Sequence, residues 1–126
     1  MLNLMSSPSP AAQDTRQILV VDDEEEVREI LAETLVDFGY RVLTAASGEE
    51  ALPMLAQDHS VAMVITDVRM PGMSGLELAD EIRRRWPEVK VVLISGYFLP
   101  QVTPQRFLKK PFHMKELASI VRSELG

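Results

Sequence analysis

Ile18-Leu19-Val20-Val21-Asp22-Asp23 is the stretch that decides the fold. Four apolar residues in a row, three of them β-branched, suit a short strand covered on both faces, and two carboxylates stand where it ends. Working outward, Val27, Ile30, Leu31 and Leu35 recur at helical spacing, and Gly39 marks a stop just beyond them. Arg41 to Ala45 is strand-like, and Ser47 with Glu50 three residues on reads as a capping box for a second helix. Pro53 within that helix removes a backbone donor, so the helix should be short or bent. Ala62-Met63-Val64-Ile65-Thr66 is the next buried strand, and Pro71, Gly72 and Gly75 punctuate the loop behind it. Leu76, Ala79, Ile82 and Trp86 stripe a third helix closed by Pro87; Val89 to Ile94 and Arg106 to Lys109 are further strands. Leu117, Ile120, Val121 and Leu125 stripe the last helix. Strands alternating with helices imply right-handed crossovers and a parallel sheet with helices on both faces.

The bulk properties narrow the function. The chain has 126 residues, no cysteine and a net charge of −6, with 46% apolar and 25% charged residues. That is the balance of one soluble globular domain rather than a disordered segment. No apolar run approaches the roughly 20 residues that span a bilayer, which argues against a membrane protein. Negative charge argues against direct nucleic-acid binding, because phosphate contacts draw on Lys and Arg. Without cysteine there is neither a disulfide frame nor a thiolate metal site. Residues 1 to 16, with Ser6, Ser7, Pro8, Ser9 and Pro10, read as a disordered tail or linker, and order is expected over residues 17 to 126.

In open parallel sheets the functional crevice lies at the carboxyl ends of the strands. Asp22 and Asp23 follow the first strand, Asp67 the third, Ser95 the fourth and Lys110 the fifth. Each has an ordinary reading as well: a helix cap for Asp22 or Asp23, a turn residue for Asp67, a loop hydroxyl for Ser95, a solvated charge for Lys110. Their convergence on one edge is what points to chemistry. Three carboxylates brought together repel each other and raise their own pKa values, and a hard divalent cation with oxygen ligands relieves that repulsion. A carboxylate, a cation and an ammonium together fit transfer of a phosphoryl group to a carboxylate oxygen.

These segments resemble the receiver domain of two-component response regulators. The resemblance rests on Ile18 to Glu26, on Val64 to Leu78 with its Asp67 and Met70-Pro71-Gly72, on Val91 to Tyr97, and on Phe107 to Phe112. It implies a flavodoxin-like, doubly wound, five-stranded parallel sheet of order 2-1-3-4-5. It also implies that Asp67 is the phosphoacceptor, charged by a histidine kinase or a histidine phosphotransfer protein. Asp23, Asp67 and the backbone carbonyl of Arg69 would hold Mg²⁺ (or Mn²⁺), with Asp22 acting through water. Lys110 would pair with a phosphoryl oxygen across a cis Lys110–Pro111 bond, and Ser95 would be the switch hydroxyl. Phe107 takes the place of the aromatic switch residue, although a core role fits it equally. Val27, Pro111 and Phe112 would dock the kinase partner, and Val27 fits the core as well. The resemblance implies a phosphoacceptor switch rather than a turnover enzyme, in the bacterial cytoplasm, as a monomer or weak dimer. Both a single-domain regulator and a receiver cut from a hybrid kinase stay open.

One departure is visible. Receivers carry a full helix between the fourth and fifth strands, whereas here residues 96 to 105 are short and hold Pro100 and Pro104. Each proline disfavours helix at the residue before it, so a loop or single turn is expected in place of the fourth helix. A phosphohydrolase of the haloacid dehalogenase type would need carboxylates spaced D-x-D after the first strand, and here they are adjacent. A docking module that kept only the fold would have lost acidic or Lys positions, and all are present. His59 and His113 lack partners at metal spacing, and Arg83-Arg84-Arg85 reads as a solvated helix end.

Overall fold

The computed structural model describes residues 16–96 and 106–126. Five strands, β1 (Gln17–Val21), β2 (Arg41–Ala45), β3 (Val61–Asp67), β4 (Lys90–Ser95) and β5 (Arg106–Lys109), form one sheet of order β2-β1-β3-β4-β5. Every pairing is parallel. Four helices are described: α1 (Glu25–Asp37), α2 (Gly48–Gln57), α3 (Gly75–Arg85) and α4 (Met114–Leu125). The segment expected to lack a helix lies, apart from Gly96, outside the described residues, as do residues 1–15 of the expected tail.

The two-residue period of the strands divides the core. Ile18 and Val20 of β1 face one way, with Met63, Ile65, Val92, Ile94 and Leu108, and meet Leu31 and Leu35 of α1 and Leu117 and Val121 of α4. Leu19 and Val21 face the other way, with Val64, Val91 and Leu93, and meet Ala51 and Leu55 of α2 and Leu78, Ala79 and Ile82 of α3. That is why the strands read as continuous apolar runs: each is covered twice. Leu35, Leu55, Ile82 and Leu117, one from each helix, are at most 2% exposed.

Local reading and structure part in a few places. Ile30 is 54% exposed and Leu76 40% exposed, because successive helical residues are 100° apart and Leu31 and Leu78 hold the core-facing phase. Asp67 and Ser95 are the last residues of β3 and β4 rather than the residues behind them. The second helix is short, at 10 residues, with Pro53 inside it. Its Ser47 side chain accepts from the Glu50 amide as expected, yet Glu50 reaches past the cap, its Oε1 accepting from Ala46 N–H at 2.9 Å. A complete capping box instead opens α3, where Ser74 and Glu77 each accept the other's backbone N–H. The Arg83–Arg85 run does lie on a solvated helix end. There Arg83 pairs with Asp80, Arg84 and Arg85 pair with Glu81, and the Arg85 guanidinium sits 4.4 Å over the Trp86 ring.

Candidate functional site

At the carboxyl edge of the sheet, one carboxylate oxygen from each of Asp22, Asp23 and Asp67 lies within 4.8 Å of the others. The parallel register makes this possible: β1 and β3 run side by side, Val21 opposite Thr66, so their next residues emerge at one level. Asp22 is buried and Asp23 exposed, while the Asp67 side chain keeps only 12% of its surface.

Asp22 is fastened at two atoms. Its Oδ1 accepts from Glu24 N–H at 2.9 Å, and its carbonyl accepts from Arg28 Nη1 at 2.8 Å. Arg28 lies in the first turn of α1, where side chains lean back toward the helix start, and that brings its guanidinium to the turn. Asp22 thus holds a turn amide just before the helix and faces the cluster. The N-cap itself is Glu24, which has no side-chain cap bond, so neither aspartate caps α1. Burial pushes its carboxyl above the ordinary range; the Glu24 N–H opposes this, Asp67 adds to it, Lys110 opposes and Asp23 adds.

The two oxygens of Asp67 have different partners. Oδ1 accepts from Val68 N–H at 2.9 Å, while Oδ2 stands 3.7 Å from Lys110 Nζ. Val68 N–H also donates to Ile94 O at 3.0 Å, tying β3 to β4 just past its end. Lys110 N–H donates to Ser95 O at 2.8 Å, which extends the β4–β5 pairing by one step and carries the lysine into the site. The Lys110–Pro111 bond is cis. Ser95 is buried at the same edge, beside Lys109 in register.

Gly75, the first residue of α3, lies directly on the backbone of Asp67 and Val68. A Cβ there would stand 2.1 Å from the Asp67 carbonyl oxygen, and the Gly75 N–H donates to Val68 O at 2.8 Å. Arg69 is exposed in the loop between Asp67 and α3. Phe107 is half-buried against the α2–α3 core, and Val27 and Phe112 are half-buried against the α1–α4 core. Pro111 is exposed beside the lysine, and Ile30, one turn beyond Val27, is the exposed apolar side chain of that face. His59 and His113 are both at the surface.

The model of the response regulator receiver domain matches residues 18–122. This chain belongs to that family. The receiver is 39% identical over 116 residues to the sensor kinase CckA of Brucella abortus, covering 86% of this chain and 12% of CckA. It is 45% identical over 80 residues to the hydrogenase transcriptional regulatory protein HoxA of Cupriavidus necator, covering 64% of this chain and 16% of HoxA. The chain thus spans less than a fifth of either relative. Among solved structures it is similar to the response regulator TrrA of Thermotoga maritima in complex with Mg²⁺ and BeF, with TM-score 0.80 and 38% identity, covering 87% of this chain and 99% of that one. The receiver is thus a phosphoacceptor switch of two-component signalling with the five-stranded order expected from its sequence.

Arg28 and Glu77 escaped the reading of the sequence. The signal for Glu77 was local, Ser74 followed three residues later by an acid, whereas Arg28 shows its role only once α1 is placed on β1.

Proposed function

We propose that Asp67 is the phosphoacceptor, taking a phosphoryl group from a phosphohistidine of a histidine kinase or phosphotransfer protein. The observation that carries this is the set of carboxylates within 4.8 Å with Lys110 Nζ 3.7 Å from Asp67 Oδ2. An Asp67 oxygen attacks phosphorus, the phosphorus–nitrogen bond breaks, the imidazole leaves, and an acyl phosphate stands on Asp67. Lys110 is within reach of an oxygen of the arriving group, and buried Ser95 offers a hydroxyl at the same edge. Little covalent machinery is needed, since such transfer depends on positioning and charge stabilisation.

Asp22, Asp23, Asp67 and the Arg69 carbonyl would hold Mg²⁺ or Mn²⁺. The donor set fits, because all are oxygens and the carboxylates outnumber the single lysine beside them. When bound, the ion offsets the repulsion among the carboxylates and the charge of the incoming phosphoryl group. TrrA has also been solved in complex with the histidine kinase ThkA, at TM-score 0.79 and 38% identity to this chain. A kinase partner would dock at Val27, Pro111 and Phe112, with exposed Pro111 making contact, the half-buried pair shaping the surface, and exposed Ile30, one turn beyond Val27, extending it. The test is intact mass after incubation with acetyl phosphate and Mg²⁺. Wild type should gain one phosphoryl group and Asp67→Ala none; an adduct that persists in Asp67→Ala would assign the acceptor elsewhere.

A further inference from the structure

We propose that Glu49 is a positioning residue for the metal-binding loop, a latch from α2 onto the segment between Asp67 and α3. The proposal rests on the reading of Asp67 and the Arg69 carbonyl as metal ligands. Glu49 stands in the first turn of α2, where an acid ordinarily serves its own helix. Its neighbour Glu50 does serve locally, accepting from Ala46 N–H. Glu49 points elsewhere: its Oε2 accepts from the Met73 N–H at 3.0 Å, across 24 residues of sequence.

Gly72 shows how closely the carboxylate is seated. A Cβ on Gly72 would lie 2.7 Å from Glu49 Oε2, and its φ of +74° is one that L side chains rarely adopt. Gly72 is required for its backbone conformation, and its lack of a Cβ leaves room for this carboxylate to approach. The two ends of the loop are fixed by other means. Val68 is held to Ile94 O, and Ser74 and Gly75 are held by the α3 capping box and by Val68 O. Glu49 takes hold between those ends, on the stretch that begins with Arg69, whose carbonyl must keep its direction for an ion to use it. A ligand held in place before binding spares the ordering cost at the moment of binding.

Magnesium affinity measured by calorimetry on the full chain, together with amide exchange at Met73, tests the latch. Glu49→Ala should weaken Mg²⁺ binding by about three- to ten-fold and speed Met73 exchange by a similar factor, the loss of about one hydrogen bond. Glu49→Gln loses the same charge but keeps an acceptor oxygen at the same reach, and should stay within about two-fold of wild type on both. Equal weakening in the two variants would assign the effect to long-range charge and overturn the latch. Unchanged Mg²⁺ affinity in Glu49→Ala would overturn it as well. A wild type that binds no Mg²⁺ would overturn the metal reading itself, and the latch with it.

Discussion

Replacing Gly75 by alanine should damage the site from behind, without altering any side chain in it. The new Cβ would meet the Asp67 carbonyl oxygen at 2.1 Å and the Asp67 carbonyl carbon and Val68 Cα at 2.9 Å. Ordinary contact begins at 3.4 Å, so the gap must open by the difference, about 1.3 Å, between two pieces of backbone. Opening it also stretches the 2.8 Å bond from Gly75 N–H to Val68 O beyond use. Overpacking costs about 1–3 kcal/mol and the hydrogen bond about 1 kcal/mol. The higher helix propensity of alanine returns about 1 kcal/mol, leaving a net loss of about 1–3 kcal/mol. For a domain of this size that lowers Tm by roughly 5–12 °C. A shift of about 1 Å in Asp67 should slow acyl phosphate formation by about 100-fold. Circular dichroism melts and an intact-mass time course with acetyl phosphate read the two effects separately. Gly48→Ala is the control: it also begins a helix, but the nearest atoms to its Cβ would be those of the Met73 side chain, Sδ at 2.8 Å, Cγ at 3.1 Å and Cβ at 3.3 Å, and that side chain can turn away where backbone cannot. It should melt within about 1 kcal/mol of wild type and react within about three-fold. A folded Gly75→Ala protein reacting at the wild-type rate would refute the reasoning, as would equal damage from Gly48→Ala.

Three further outcomes follow from the charges. Asp22→Asn should raise Tm at pH 7 without Mg²⁺ and weaken Mg²⁺ binding. The folded-state pKa of Asp22 is raised, so its burial costs stability as pH climbs from the ordinary carboxylate value to that raised value, and the gain should vanish in melts near pH 4. Lys110→Ala should tighten Mg²⁺ binding by several-fold in calorimetry, since it removes a cation 3.7 Å from Asp67, and should slow phosphorylation by acetyl phosphate in the same preparation. Asp58 is held below its ordinary pKa by the Ser60 hydroxyl and amide, then by Gln17 and His59. Its contribution is present above the unfolded carboxylate pKa and lost as pH falls through the lowered value, so Asp58→Asn should melt below wild type at pH 7 and converge with it in strong acid.

The sheet and the acidic edge were legible because both depend on short-range pattern. Apolar runs mark strands buried on both faces, and in a parallel sheet every strand ends at the same edge, so Asp22, Asp67, Ser95 and Lys110 were bound to meet. Ile30 and Leu76 face solvent because periodicity places a stripe only to within one or two residues, and Leu31, one residue on, and Leu78, two residues on, hold the core positions. Glu49 was invisible for a different reason. Its partner, the Met73 amide, is a backbone group with no residue-type signature, and the 24 residues between them carry no local pattern. Arg28 likewise acts on a carbonyl, that of Asp22. Capping contacts at fixed local spacing leave a trace in the sequence, whereas these side chain to backbone contacts depend on how the elements pack.

One contact lies at the opposite end of the molecule. Arg16, just before β1, donates from Nη1 to the carbonyl of Leu125 at 2.8 Å, joining residues 109 apart in sequence. Residues 16 and 125 therefore share one spot on the surface, at the amino end of the strands. A polypeptide entering and leaving there would hold the domain as a pendant on a single stalk. The acidic edge would then face outward, about 17 Å away along five residues of β1. A link between those two positions would close the chain into a ring with little strain, so new ends could be opened at a surface turn such as 58–60 while the site stays whole.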